Sequence, residues 1–139
     1  MPSSPRSLLL VVGVVTAVVL GVTGCSSPSQ SKAAACSKVL ASMDAATSEL
    51  NGGLSSMSTD PGGAAQSLKL GKKTLFSGMK SVTNPEVKSA GDRAAASVSV
   101  LTDLVTAVIA KPGSISSTKL AASSTAVSAE FAAVRKLCA

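Results

Sequence analysis

The sequence predicts an all-α protein, an antiparallel up-down-up-down four-helix bundle. Three observations predict it: apolar residues recur at alternating spacings of three and four, proline and glycine breaks separate four segments, and the breaks are short. Segments of about 20–26 residues with short connections are typical of neighbouring antiparallel helices. No strand pair and no second domain is visible in the sequence, so residues 33–139 are predicted to form one helical domain.

The first helix is predicted over residues 33–57. Its inward stripe consists of Cys36, Leu40, Met43, Thr47, Leu50, Leu54 and Met57. Gly52 and Gly53 interrupt this segment, and a glycine costs about 1 kcal/mol relative to alanine inside a helix. A kink at the glycines, or an end of the helix at Leu50, is therefore an open alternative.

The second helix is predicted from Pro61 to Val82, because Asp60 is a typical N-cap and proline is favoured at the first helical position. Lys72 lies on its inward stripe, where the side chain either extends outward along its apolar stem or marks a polar cleft. The apolar members of the stripe are Ala65, Leu68, Leu75, Met79 and Val82.

The third helix is predicted over residues 85–110, since Asn84 and Pro85 repeat the same start signal. Residues 97–100 alternate as a strand would, but the helical period on both sides favours a helix. The stripe of this helix consists of Val87, Ala90, Ala94, Val98, Leu101, Val105 and Val108.

The fourth helix is predicted over residues 114–137. It follows Lys111, Pro112 and Gly113, which end the third helix because proline and glycine do not easily continue one. Its stripe consists of Leu120, Ser124, Val127, Phe131, Val134 and Cys138.

Residues 1–24 differ from the rest of the chain in composition and order. One cation, Arg6, precedes an apolar run of thirteen residues from Leu8 to Leu20. A helix of that length spans about 20 Å, whereas the hydrocarbon core of a bilayer is about 30 Å thick. The run is therefore typical of an export signal peptide and too short for a permanent membrane helix.

The signal segment ends in Val22-Thr23-Gly24-Cys25, which resembles the lipobox of bacterial lipoproteins. The resemblance implies that Cys25 receives a diacylglyceryl group on its sulfur and becomes the first residue of the mature chain. It also implies a lipid-anchored location at the extracytoplasmic face of the cell membrane. An ordinary cleaved signal with an incidental cysteine, or an uncleaved short anchor, are the alternatives.

Residues 25–32 are rich in serine and have no apolar period, so they are predicted to be a flexible tether. The whole layout, a lipidated cysteine followed by a tether and an alanine-rich helical domain, resembles the small exported helical lipoproteins of bacteria. This resemblance concerns architecture, and no functional residue transfers from it.

Three cysteines in an exported chain leave one without a partner. If Cys25 carries lipid, Cys36 and Cys138 remain as a pair in a compartment that permits oxidation. Both ends of an antiparallel four-helix chain lie at the same end of the bundle, and these cysteines stand at the start of the first stripe and the end of the last. We therefore expect a Cys36–Cys138 disulfide; the alternative is two buried thiols.

The composition argues against an enzyme. The chain has no His, no Trp, no Tyr and two Phe, so it lacks the commonest general base and metal ligand and most stacking side chains. Gly71-Lys72-Lys73-Thr74 superficially matches a phosphate-binding loop, but Gln66 stands where the upstream glycine is needed. The acidic residues show no metal-ligand spacing. We expect no catalytic residue, no metal and no cofactor.

The most distinctive charged feature is the set Lys69, Lys73 and Lys80 on one flank of the second helix. Such a flank attracts anionic lipid headgroups or an acidic envelope polymer. The alternative is a solvated face that keeps an alanine-rich bundle soluble. Nucleic acid is not an expected partner, because export separates the protein from it and no aromatic side chains interleave the lysines.

The leading functional hypothesis is a non-enzymatic, membrane-anchored, extracytoplasmic interaction or structural module whose protein partner the sequence does not identify. The alternative is a carrier that binds a small apolar ligand in a cavity between the helices. Phe76, Phe131 and Leu101 are the side chains that would line such a cavity, although core packing is the more frequent role of a phenylalanine.

Overall fold

The computed structural model describes residues 29–139, which form four α-helices. These are α1 (Lys32–Ser56), α2 (Pro61–Lys80), α3 (Pro85–Ala110) and α4 (Ser117–Leu137). Each helix packs on its neighbour in the chain, α3 also touches α1, and α1 meets α4 along a narrow contact. The prediction of an all-α four-helix bundle is confirmed. The predicted signal peptide, Cys25 and the first residues of the tether lie outside the described residues.

A side-chain N-cap precedes each of these helices. Ser31, Asp60, Asn84 and Ser116 each accept a hydrogen bond from the backbone N–H three residues further on, at 2.9–3.3 Å. These bonds satisfy N–H groups that have no partner inside the helix. The predicted N-caps Asp60 and Asn84 are confirmed.

The fourth helix begins three residues later than predicted. Gly113 adopts a positive φ of 81°, and the Ser114 N–H donates to the Lys111 carbonyl at 3.1 Å, so the chain is still in a turn at residue 114. Ser116 then caps the helix through the Lys119 N–H. The serine-rich start of this segment offers several N-caps, and the turn at Gly113 decides which one is used.

The inward face of α1 is rotated from the predicted stripe. Leu54 is 39 % exposed, and Leu40 and Thr47 are half-buried. The buried residues are Ala35, Cys36, Val39, Met43, Ala46, Leu50 and Gly53. The prediction followed the larger apolar side chains, whereas α1 turns its small residues toward α2, with which it shares the largest interface.

The apolar residues of the predicted α2 and α3 stripes are buried except for Ala65 and Val108, which are half-buried, and Val82 lies two residues beyond the end of α2 at Lys80. In α4 only Phe131 and Val134 of the stripe are buried, and Ser124 is exposed. The core therefore lies mainly among α1, α2 and α3, and α4 closes it from one side.

Glycines let α1 and α2 approach closely. A Cβ on Gly53 would lie 2.9 Å from Leu68 Cγ and 3.0 Å from the Ala64 carbonyl oxygen, and one on Gly71 would lie 3.1 Å from the Ala46 carbonyl oxygen. Helix α1 continues through the glycine pair to Ser56, so the open alternative of an end at Leu50 does not occur. Packing against α2 stabilises the helix where its intrinsic propensity is low.

Helix α3 is long and apolar enough to cross a membrane by length and composition, with a mean hydropathy of 1.5 in its most apolar window. In the bundle it contacts all three other helices and contributes nine buried residues. Its apolar composition follows from this central position.

The predicted disulfide between Cys36 and Cys138 is present, with a Cα–Cα distance of 5.4 Å across 102 residues of sequence. It joins the start of α1 to the end of α4. Because these two helices share the narrowest interface among the packed pairs, the covalent bond is their principal connection.

The disulfide gives the first prediction. The Cys36→Ala/Cys138→Ala variant is expected to lose about 2–4 kcal/mol of unfolding free energy, because the unfolded chain is no longer cross-linked. Urea denaturation of the exported protein measures this as a lower midpoint with a steeper slope, because the unfolded chain without the cross-link exposes more surface. An unchanged midpoint, or two free thiols in the wild-type protein by non-reducing mass spectrometry, would contradict it.

The glycine pair gives the second prediction. Gly52 is exposed, with no atom within 4 Å of a built Cβ, so Gly52→Ala is expected to stabilise the protein by up to about 1 kcal/mol. Gly53→Ala is expected to destabilise it, since overpacking costs about 1–3 kcal/mol and exceeds the gain in helix propensity. The two neighbouring substitutions are each other's control in urea denaturation, and shifts of the same sign would refute the close approach.

Candidate functional site

An open groove of about 670 Å³ runs between α2 and α3. Three lysines and Phe76 line it from α2, and α3 supplies two threonines, an aspartate and two alanines. In full, the lining residues are Lys69, Lys72, Lys73, Phe76, Thr102, Asp103, Thr106, Ala107 and Ala110. The groove thus combines a cationic rim with an apolar surface.

Lys72 resolves the alternative that its position in the sequence left open. Its Nζ donates to Asp103 Oδ1 at 3.0 Å, and its side chain is 32 % exposed. The residue therefore marks a polar cleft between α2 and α3. Asp103 also accepts a hydrogen bond from Ser99 on its own helix, which orients the carboxylate. The sequence alone does not indicate this pair, because the contact between Asp103 and Lys72 depends on the register between two helices.

Lys69 and Lys73 are exposed in the groove and have no carboxylate within 4 Å among the described residues. Lys80 is also exposed, but it stands at the end of α2, about two turns from Lys73, and does not line the groove. The structure therefore brings two of the three predicted lysines together. With Lys72 neutralised by Asp103, the groove keeps two free cations.

Phe76 is 41 % exposed in the groove, which corrects the expectation that it packs in the core. It stands on the side of α2 that lines the α2–α3 groove, where the short side chains of α3, such as Ala107, do not cover it.

Thr102 is 1 % exposed, and its hydroxyl has no hydrogen-bond partner among the described residues. Sequence reasoning did not select Thr102, because no pattern distinguishes it from other threonines on helices.

A second, smaller groove of about 330 Å³ lies between α1 and α4. Phe131 and Leu101 line it together with Leu54, and Phe131 is only 8 % exposed. Since the two grooves have no lining residue in common, Phe76 and Phe131 do not share one cavity.

The chain reaches the bundle beside the turn between α2 and α3. The Gln30 N–H donates to Thr83 Oγ1 at 3.0 Å, the Thr83 N–H donates to Gln30 Oε1 at 3.4 Å, and Asn84 Nδ2 donates to the Gln30 carbonyl at 3.2 Å. The last part of the predicted tether is therefore held to the fold.

The sequence Gly71-Lys72-Lys73-Thr74, which superficially matches a phosphate-binding loop, lies inside α2 and has helical backbone throughout.

In the part of the chain that the structure describes, no three Cys, Asp or Glu side chains come together in a group that could hold a metal ion. The available chemistry in the α2–α3 groove is the attraction of an anion by Lys69 and Lys73 beside the apolar surface of Phe76.

No known protein family, no curated protein and no solved structure matches this chain.

Proposed function

We propose that the protein is a lipid-anchored module on the extracytoplasmic face of the cell membrane, with an interaction or structural role and no enzymatic activity. The observation that carries the proposal is the pairing of Cys36 with Cys138. Disulfides persist in oxidising compartments outside the cytoplasm, which supports export. The pairing also leaves Cys25, the cysteine of the lipobox-like sequence, as the remaining thiol.

The proposed partners are the membrane itself, through lipid on Cys25, and an anionic lipid or envelope polymer at the lysines of α2. Lys69 and Lys73 support this role through their exposure and their lack of carboxylate partners among the described residues. Lys80 extends the positive flank toward the end of the helix. A cation near an anionic surface contributes about 1 kcal/mol to binding.

The lipid anchor gives the third prediction. In bacteria that process lipoproteins, the wild-type chain is expected to partition into the detergent phase and to carry acyl groups in its mass. Cys25→Ala is expected to lose the acyl mass and to be found either soluble or with residues 1–24 still attached, because the acceptor sulfur is gone. Phase partitioning with intact-mass spectrometry measures both properties.

The Cys36→Ala/Cys138→Ala variant is the matched control, since it removes two sulfurs and keeps Cys25. It is expected to retain the acyl mass and the detergent partitioning of the wild type. If Cys25→Ala keeps the detergent partitioning and the acyl mass of the wild type, the proposed lipid anchor at Cys25 is wrong.

A second candidate function is the binding of a small apolar ligand in the α1–α4 groove. The observation that favours it is the apolar part of the groove lining: Leu54 is 39 % exposed there, and the buried Leu101 and Phe131 also line the groove. Grooves with an apolar lining and a few polar groups are typical of small-molecule sites.

This candidate gives the fourth prediction. Ser128 is exposed and lines the α1–α4 groove, so Ser128→Glu is expected to lower the affinity for the neutral dye Nile red several-fold by placing a charge beside the apolar surface. Thr125→Glu is the control, since Thr125 is exposed on the same helix and does not line the groove. Fluorescence titration of the exported protein measures both, and equal effects would exclude the groove as the dye site.

A further inference from the structure

We propose that one end of the bundle docks on anionic lipid headgroups. This tether end consists of the starts of α1 and α3 and the ends of α2 and α4, and it is where the chain arrives from Cys25. The opposite end is called the far end. The proposal rests on the proposed lipid anchor, and it names the orientation of the bundle and the class of lipid that the cations meet.

The first support is the length of chain between the anchor and the fold. Gln30 is held to the α2–α3 turn by three hydrogen bonds with Thr83 and Asn84. Only five residue steps separate it from Cys25. A fully extended chain covers at most about 3.6 Å per residue, so an anchored bundle keeps its tether end within about 18 Å of the lipidated sulfur.

When the helix axes point away from the membrane, the far end lies too far from the lipid headgroups to contact them. Helix α1 has 25 residues and is therefore about 37 Å long. Electrostatic attraction decays over about 8 Å at physiological ionic strength. The short tether thus holds the charges of the tether end at a high effective concentration near the membrane surface. It does so without any contact beyond the lipid anchor itself.

The second support is the distribution of charge. When each helix is divided at its midpoint, the half of the bundle nearer the tether end holds nine cations and four acids. These are Lys32, Lys38, Lys72, Lys73, Lys80, Lys88, Arg93, Arg135 and Lys136, against Asp44, Glu86, Asp92 and Glu130. The far half holds Lys69, Lys111 and Lys119 against Glu49, Asp60 and Asp103. The net side-chain charge of the described residues, nine cations less four acids or +5, therefore lies in the half that the tether holds near the membrane, and the far half is neutral.

Three of these cations have no carboxylate to neutralise them. Lys38, Lys80 and Lys136 are exposed, stand within two turns of the tether end, and have no carboxylate within 4 Å among the described residues. The Lys38 Nζ donates to the Ser81 carbonyl at 3.3 Å, a neutral acceptor that leaves the positive charge of Lys38 in place. Lys136 also lines an open cleft of about 690 Å³ together with Lys32 and Arg93. Lys32 and Arg93 are paired with Glu86 and Glu130, each at 3.4 Å, so Lys136 is the cation of this cleft that has no carboxylate partner among the described residues.

The test uses the mature lipidated protein reconstituted into vesicles of phosphatidylcholine alone or with phosphatidylglycerol, each with a trace of dansyl-labelled lipid. The chain contains no Trp, so one introduced Trp is the only such fluorophore. Ser37→Trp reports on the tether end and Ser55→Trp on the far end, since both serines are exposed on α1 and 18 residues, about 27 Å, apart. Energy transfer from Trp to dansyl measures the proximity of each end to the headgroups.

We expect transfer from Trp at position 37 to rise when phosphatidylglycerol is included and to fall again at 1 M salt, while transfer from position 55 stays low. In the Ser37→Trp background, Lys38→Gln/Lys80→Gln/Lys136→Gln is expected to lower the docking equilibrium about a hundredfold, since each cation contributes about a fivefold factor. Transfer then returns to its value in phosphatidylcholine.

The control is Lys111→Gln/Lys119→Gln, which removes two exposed cations of the far half that belong to no proposed binding surface, and it is expected to change docking by less than twofold. Equal transfer from positions 37 and 55, or a loss of docking in the control as large as in the triple variant, overturns the docking proposal alone. A purified chain without acyl mass overturns the proposed anchor, and this proposal with it, because the tether then no longer holds the bundle at the membrane.

Discussion

The disulfide between Cys36 and Cys138 is the constraint on which the rest of the bundle depends. Helix α4 contributes three buried residues, Ser123, Phe131 and Val134, whereas α3 contributes nine. Of the 115 residues from Cys25 onward, only 23 are Leu, Ile, Val or Phe, and 21 are Ala, so burial of apolar area stabilises this core less than usual. The cross-link compensates for this weak core. A closed loop of about 100 residues lowers the entropy of the unfolded chain, which stabilises the folded state by up to about 4.7 kcal/mol.

The scarcity of large side chains also explains where the bundle is tight and where it is open. Helices α1 and α2 approach until the glycines at 53 and 71 touch backbone carbonyls of the opposite helix, and this pair forms the largest interface. The small residues of α3 and α4 do not fill the space beside them. Open grooves therefore remain at the α2–α3 and α1–α4 seams, with Phe76 and Leu54 partly exposed to solvent. The surfaces available for binding thus follow from a core of small side chains.

Several features meet at the tether end of the bundle. The disulfide joins α1 to α4 there, Gln30 is held by the α2–α3 turn, and Lys38, Lys80 and Lys136 lie at the same end without a carboxylate partner among the described residues. Under the proposed anchor these features act together, because a tether that is short and is hydrogen-bonded to the bundle at Gln30 keeps the positive end of the bundle near the membrane. The proposed membrane contact at the tether end leaves both grooves on the sides of the bundle accessible to a partner.

The sequence by itself determined the local structure of this protein: the four helices, the N-caps Asp60 and Asn84, and the cysteine pair at the two ends of the bundle. These features depend on the helical spacing of apolar residues, on the residue types that cap helices and on the order of the segments along the chain. All three can be read from residues that are close in sequence. Only the tertiary structure decided the rotation of α1 toward its alanines and glycines, the Lys72–Asp103 contact across 31 residues, the exposure of Phe76 and the separation of Lys80 from the groove. Each of these depends on how closely two helices approach and in which register, and that is set by side-chain packing between segments far apart in the chain.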